Sequence, residues 1–314
     1  MDRLKLQQRL GARWPEGIVQ TRLSLELAGI NHLLLQDCLA AGIVLKIRKG
    51  GYLLRERWEG SEPWHRAQWQ LEAHHLVSGG VHLYTHQSAA RLHGLRTWGL
   101  GERIHLNIPY RWSRGSFGDD VTVHRYSIPG RQECLVQNEL GQEFRVTSLE
   151  RTATDCARLL GFEQAVVLGD HALQKGADLT YMRRLLAATP GSRGVRRARL
   201  VLGAIDGRSE SVGESRLRLI VSDLAPTSQL ELATTAGLFR ADLGWSEARL
   251  LLEFDGRSKY FDYGASSEVV FQERRREKAL VAEGWRIIRV EWADLERPAA
   301  LRRRVISALK RSVP

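Results

Sequence analysis

Three acidic residues lie in apolar segments in the last third of the chain, and these segments limit the folds that this part can adopt. Glu214 lies in SVGESRLRLIVSDL, whose apolar periodicity predicts a helix. Asp242 in FRADLGW and Glu253 in ARLLLEFDG lie in segments that predict strands, which a hairpin would place side by side. Because carboxylates at buried strand ends need compensation, the pattern favours a divalent cation held by all three acids.

From Ser209 onward the sequence predicts a helix, three strands, a helix, a strand and a final helix. This order, with its acids, resembles the core of the PD-(D/E)xK nucleases and looks closest to the very-short-patch-repair endonuclease-like branch. The resemblance implies a restriction-endonuclease-like α/β domain over residues 206–314. The matching residues are Asp242, Glu253-Phe254-Asp255-Gly256, Arg275 or Arg276, Leu280, Gly284-Trp285 and Arg289.

The resemblance also implies a reaction and a cofactor. Asp242 and Glu253 would hold Mg²⁺ or Mn²⁺, which lowers the pKa of a bound water, and Glu214 would hold the same ion through water or a second ion. Asp255 occupies a catalytic position where the family's general form has a lysine. Lys259 is the nearest residue that could orient the attacking water instead.

Other groups and other interpretations remain open for this domain. Lys278 is a second candidate for the lysine, and Arg276 could contact the scissile phosphate. Alternatively, Asp242 and Glu253 could make hydrogen bonds at the end of the hairpin, or pair with Arg240 and Arg257, without any metal. A nuclease fold that binds DNA without cutting it is a further alternative.

Residues 1–60 predict a winged helix. TRLSLELAG and NHLLLQDCLAAG predict two helices joined by a tight turn, with Asn31 as the amino-terminal cap of the second and Gly42 as its stop. IVLKIRKGGYLL then predicts a hairpin. In a DNA-binding winged helix the second helix would enter a major groove and the hairpin would contact phosphates. The candidate DNA-binding residues are therefore His32 and Gln36 on the helix and Lys46, Arg48 and Lys49 on the hairpin. The alternative is a winged helix used for protein contacts or dimerisation.

Residues 61–205 predict a mixed α/β segment followed by a helical array. Strands are predicted at RIHLNIP, VTVHRYSI and FRVTS, and helices from SLERTATDCARLL onward. The turn KGGYLL and the segments THQSAARLHGL and VTSLERTATDCAR resemble AbiEi-family antitoxins over roughly residues 5–205. That resemblance implies an autoregulatory DNA-binding module joined to an antitoxin domain. It also implies a nucleotidyltransferase-type toxin encoded nearby as a functional partner.

Histidines are concentrated in the middle segment, where His82, His86 and His93 suggest a metal site. We expect them to be structural, because His82 and His86 straddle a change from strand to helix and do not share a helical face. Standard zinc-ligand spacing with Cys or Glu is also missing.

Composition sets the remaining expectations. A net charge of +11 favours a polyanionic partner such as DNA. The three widely spaced cysteines argue against a disulfide framework and favour a reducing cytoplasm. No apolar run has the length of a membrane span.

The sequence thus predicts an α/β multidomain protein that binds DNA, with two competing functions. The first is a metal-dependent endonuclease. The alternative is a type IV toxin–antitoxin AbiEi-like antitoxin and transcriptional autorepressor that retains a non-cutting nuclease fold. A purely structural nucleic-acid adaptor is a third class, and a homodimer is compatible with each of them.

Overall fold

The computed structural model describes residues 3–108, 117–235, 237–256 and 267–311, with side chains from residue 275 onward in the last range. The described residues form a mixed α/β structure with fourteen α-helices and three sheets, which confirms the predicted fold class at this level. Among the described residues, the helices are too short or too polar to cross a membrane.

The amino-terminal unit combines three helices with a small antiparallel sheet in the strand order β1-β3-β2. Asn31 accepts a hydrogen bond from the Leu34 N–H at 3.0 Å, and Gly42 follows the same helix with a φ of 66°. The predicted cap and stop of this helix are confirmed. In chain order the elements are α1 (Arg3–Gly11), β1 (Gln20–Thr21), α2 (Arg22–Leu27), α3 (His32–Ala40), β2 (Val44–Arg48) and β3 (Gly51–Leu54).

The hairpin β2–β3 packs against a long helix that lies beyond residue 60. After α4 (Arg55–Glu59), α5 (Pro63–Val77) places Trp69 and Ala73 in one apolar cluster with Val19 and Leu53. A Cβ added to Gly51 would lie 2.9 Å from the Cβ of Ala73, so this close approach requires glycine. One face of the hairpin is therefore covered by α5.

The middle unit contains a five-stranded sheet in the order β6-β5-β4-β8-β7. The pairs β5–β6 and β4–β8 are parallel, whereas β4–β5 and β7–β8 are antiparallel. Its elements are β4 (Leu83–Tyr84), α6 (His86–Leu92), β5 (Ile104–Asn107), β6 (Val121–His124), β7 (Glu133–Gln137) and β8 (Glu143–Thr147).

Four helices follow and enclose a core of buried Ala, Val and Leu side chains. They are α7 (Leu149–Leu159), α8 (Phe162–Gln174), α9 (Leu179–Ala187) and α10 (Val195–Ala204).

The carboxyl-terminal unit has the predicted order of helix, three strands, helix and strand. Its sheet runs β12-β11-β10-β9, with β9, β10 and β11 antiparallel and β12 parallel to β11. A parallel pair requires a crossover, and the helix before β12 provides it. The elements are α11 (Val212–Ile220), β9 (Thr227–Thr234), β10 (Gly237–Trp245), β11 (Leu250–Phe254), α12 (Ser267–Ala282), β12 (Arg286–Val290), α13 (Trp292–Leu295) and α14 (Pro298–Lys310).

Buried ion pairs join this unit to the helical array. The Arg218 guanidinium on α11 donates to both oxygens of Asp170 on α8 at 3.0 and 2.9 Å, and Asp170 is fully buried. Arg216 is also buried, and it bridges Glu163 of α8 at 2.7 Å and Glu296 at 2.9 Å. Buried charges of this kind must stay paired, so the contact between the units is specific.

Candidate functional site

Asp242 and Glu253 lie where β10 and β11 separate. At this end of the two strands the last paired residues are Leu243 and Leu252. Asp242 directly precedes Leu243 and Glu253 directly follows Leu252, so the two acids lie just beyond this pair. The Asp242 carboxylate accepts a hydrogen bond from the Phe254 N–H at 2.7 Å, and both acids are half-buried. The structure therefore brings these two predicted ligands to the same end of adjacent strands.

Asp255 continues β11 along β12. Its N–H donates to the Val290 carbonyl at 2.8 Å, and its side chain is half-buried. On α12, Arg276 and Lys278 are both exposed. Lys259, the predicted water-orienting residue, lies outside the described residues.

Glu214 has a structural task at the start of α11. The Ser211 hydroxyl accepts the Glu214 N–H at 3.1 Å, while the Glu214 carboxylate accepts the Glu210 N–H at 2.7 Å. The same carboxylate accepts the Gln229 amide at 3.1 Å. This arrangement satisfies N–H groups at the helix start, and the Ser211-x-x-Glu214 spacing was the sequence signal for it.

The structure does not gather the three predicted carboxylates around one point. Among the residues that it describes, the one group of three or more His, Cys, Asp or Glu side chains with ligand atoms within 4.8 Å of one another lies elsewhere. Arg240, which the alternative interpretation paired with Asp242, forms an ion pair with Glu210 at 2.6 Å. Of the predicted metal ligands, Asp242 and Glu253 are adjacent and Glu214 serves the helix start.

The predicted DNA-binding residues fall into two groups. His32 and Gln36 on α3 and Lys46 and Lys49 on the hairpin are exposed. Arg48 instead forms an ion pair with Asp120 of the middle unit at 2.5 Å, and only 14% of its side chain is exposed. Arg48 therefore ties the hairpin to the middle unit.

A cluster of imidazoles in the middle unit was missed by the sequence reasoning. The ligand atoms of His86, His105 and His124 lie within 4.8 Å of one another. The His105 Nδ1 and His124 Nε2 atoms are 2.9 Å apart, and the His86 ring stacks on His124 with centroids 3.8 Å apart. We refer to these three residues as the imidazole cluster.

Burial keeps the imidazole cluster uncharged. It lowers the pKa of His105 to about 3 and the pKa of His124 to about 4. The pKa of His86 falls well below its ordinary value, first through burial and then through His124, His105 and the nearby arginines. Neutral imidazoles have lone pairs available to a proton donor or a metal ion.

The expectation that the histidines are structural rested on local spacing. The structure leaves His82 and His93 outside the cluster and places His86 in it with two histidines from β5 and β6. The parallel pairing of β5 with β6 aligns His105 with Thr122 and Asn107 with His124, so the two histidines become near neighbours. The available sequence signal for this cluster was that His105 and His124 lie among apolar residues in the predicted strand segments IHL and VTVH.

Comparison with known proteins identifies relatives without an assigned function. No family model matches the chain. Two Mycobacterium tuberculosis proteins, each described as uncharacterized, are 29% identical over 249 residues, which cover 77% of this chain and 87% of each relative. They are MT2308 of strain CDC 1551 / Oshkosh and Rv2248 of strain ATCC 25618 / H37Rv. The solved structure of the RV2827C protein from Mycobacterium tuberculosis matches with a TM-score of 0.41 and 16% identity, covering 63% of this chain and 76% of that chain.

Proposed function

We propose that the chain is a DNA-binding protein whose carboxyl-terminal unit hydrolyses phosphodiester bonds with a Mg²⁺ or Mn²⁺ ion. One observation carries this proposal: Asp242 and Glu253 lie together at the end of adjacent strands of the sheet β12-β11-β10-β9. The order α11, β9 to β11, α12 and β12, with β12 parallel to β11, agrees with that fold.

The donor set of these strand ends fits a hard divalent cation. Mg²⁺ prefers carboxylate oxygens and keeps several of its waters, so two carboxylates from adjacent strands are sufficient protein ligands. When bound, the ion would activate a water and offset negative charge on the phosphate. Asp242 and Glu253 would hold it, and the Phe254 N–H would fix the orientation of Asp242.

Other residues of the chain would position DNA at this site. Arg276 is exposed on α12, where it could contact the scissile phosphate. The order α1, β1, α2, α3, β2, β3 agrees with a winged helix, which supports a role for the amino-terminal unit in locating DNA. Lys46 and Lys49 are the exposed hairpin cations that could contact phosphates.

A second candidate function is a promoter-binding antitoxin whose nuclease fold does not cut. It is favoured by Asp255, which stands in the catalytic position of the family's lysine. It is also compatible with a winged helix that autoregulates its own gene. In this case a nucleotidyltransferase-type toxin would be the functional partner, and dimerisation would provide two-fold DNA binding.

Plasmid nicking by the purified full-length protein tests the first function. We expect nicked or linear DNA with Mg²⁺ or Mn²⁺ and intact plasmid with EDTA. Asp242→Asn and Glu253→Gln should each reduce the cutting rate by at least about a hundredfold, because each removes an ion ligand and its charge stabilisation.

Glu247→Gln provides the matched control, because Glu247 is an exposed acid in the turn between the same two strands. Its cutting rate should equal that of the natural protein. Cutting that persists in both Asp242→Asn and Glu253→Gln would contradict the assigned site. DNA binding by an electrophoretic shift, without cutting under any metal condition, would favour the antitoxin function instead.

A further inference from the structure

The imidazole cluster has features that a stacked aromatic core does not need. His86 adopts a left-handed backbone conformation with a φ of 48°, which is strained for a residue other than glycine. Its Nδ1 lies 3.0 Å from the Thr85 hydroxyl. Strain of this kind is retained where surrounding contacts require one orientation of a side chain.

Neighbouring groups also contact the other two histidines of the cluster. The Ser88 hydroxyl accepts the His105 N–H of the backbone at 2.8 Å, which ties β5 to α6 beside His86. The Tyr126 ring stacks on His124 with centroids 5.8 Å apart. The contact of His86 Nδ1 with the Thr85 hydroxyl occupies one ring nitrogen and orients the other, as supporting residues do for metal-ligating imidazoles.

We propose that His86, His105 and His124 together bind a first-row transition-metal ion of the Zn²⁺ type. Three imidazoles are the protein ligands of one common kind of zinc site, in which a fourth position is left to water or a small ligand. Neutral imidazole suits Zn²⁺, Cu²⁺, Ni²⁺ and Fe²⁺, whereas Mg²⁺ prefers oxygen ligands. This site is therefore chemically separate from the carboxylates of β10 and β11.

The distances allow the cluster to close around an ion. Nitrogens at about 2.0–2.1 Å from a tetrahedral zinc lie about 3.4 Å from one another. His105 Nδ1 and His124 Nε2 are 2.9 Å apart, so a small separation would let an ion take the place of the proton that they share, with the donor ring then protonated on its other nitrogen. With Nδ1 of His86 at the Thr85 hydroxyl, Nε2 of that ring is the nitrogen available to the ion. His124 is half-buried, so its ring has room to move.

The open side of the cluster is suited to an anionic fourth ligand. Arg151 and Arg158 place their guanidinium carbons 5.7 and 5.8 Å from the Tyr126 ring centre. Both arginines are held by buried Asp155, at 2.6 Å for Arg151 and 3.7 Å for Arg158. Asp155 offsets part of their charge, and the positive charge that remains favours a water or a small anion as the fourth ligand of a bound ion.

Metal titration of the tag-free full-length protein tests this proposal. After removal of metals with a chelator, the protein should bind one Zn²⁺ per chain, and Co²⁺ should give the visible absorption of a tetrahedral site. His124→Gln and His105→Gln should each weaken Zn²⁺ binding by at least about tenfold. Circular dichroism should show that both variants remain folded.

His82→Gln is the matched control, because His82 is a half-buried histidine of the same unit that packs on Phe117 and lies outside the cluster. It should bind Zn²⁺ like the natural protein, and so should Asp242→Asn. The proposal would be overturned if the natural protein bound no Zn²⁺, or if folded His124→Gln and His82→Gln variants bound it equally well.

Discussion

At the scale of single residues, Glu72 on α5 is a buried acid with an unsatisfied oxygen. Only 7% of the residue is exposed, and within the described residues its Oε1 accepts no hydrogen bond. Burial raises the pKa of its carboxyl group to about 7. Isolated buried acids of this kind reduce stability at neutral pH, because the native state must either hold a proton or bury a charge.

Glu72→Gln should therefore stabilise the protein more at pH 8 than at pH 5. Between the ordinary pKa of 4.5 and about 7, the native state binds more protons than the unfolded state, so the free energy of unfolding falls as pH rises. Glutamine does not titrate, and its advantage should grow to at most about 3 kcal/mol above pH 7. Urea unfolding at the two pH values measures the difference.

Glu16→Gln removes an exposed acid and is the control for this measurement. It should shift stability by the same small amount at both pH values. An advantage of Glu72→Gln that did not depend on pH would contradict the assignment of a raised pKa.

At the scale of elements, the end of β11 is positioned by its contact with α11. A Cβ added to Gly213 would fall on the Phe254 ring, which follows Glu253 in the chain. The glycine thus lets α11 lie directly against the strand end that carries the proposed metal ligand. Phe254 in turn packs edge-on against Trp292 of α13, with centroids 5.0 Å apart.

Gly213→Ala should destabilise the protein by about 1–3 kcal/mol through overpacking. Since the displaced ring adjoins Glu253, we also expect slower cutting in the nicking assay. Gly203→Ala is the control, because Gly203 lies in α10 with no atom within 4 Å of an added Cβ. It should stabilise by about 0.5–1 kcal/mol. Equal midpoints of thermal unfolding for the two variants would argue against the close contact at Gly213.

Local sequence signals predicted most of the helices and strands, because each such signal involves residues that are only a few positions apart. Asn31 and Gly42 mark the ends of α3, and apolar alternation marks β10 and β11. The strand β7 gave no such signal, since it is an edge strand with mostly exposed side chains.

Contacts between distant segments could not be predicted in the same way. The imidazole cluster depends on the pairing of β5 with β6, and the ion pair of Arg48 with Asp120 depends on how two units pack. In the candidate carboxylate site, the predicted hairpin already implied that Asp242 and Glu253 would be neighbours. The hydrogen bond from Gln229 to Glu214 depends on β9 lying beside the start of α11 and left no pattern in the sequence.

At the scale of the whole molecule, the proposed DNA binding should depend strongly on salt, because the chain has a net charge of +11. Lys46 lies on β2 and Lys49 in the turn that follows it, and both are exposed. A double replacement by alanine should weaken binding at all sequences and reduce the slope of log affinity against log salt by about two. Fluorescence anisotropy with a labelled duplex measures this slope.

Lys175→Ala with Lys310→Ala is a control of equal charge, because both lysines are exposed and lie outside the amino-terminal unit. Its slope should stay close to that of the natural protein. An equal loss of slope in both double variants would show that binding follows net charge and not the hairpin.

The ion pair of Asp170 with Arg218 limits how freely the units of this chain can be separated or exchanged. Each unit contributes one member of the pair, and Asp170 has no exposed surface in the intact chain. A fragment cut between α10 and α11 would retain a charge without its counterpart on a newly uncovered apolar surface. During evolution, transfer of the carboxyl-terminal unit to another protein would therefore require a matching acid on the recipient.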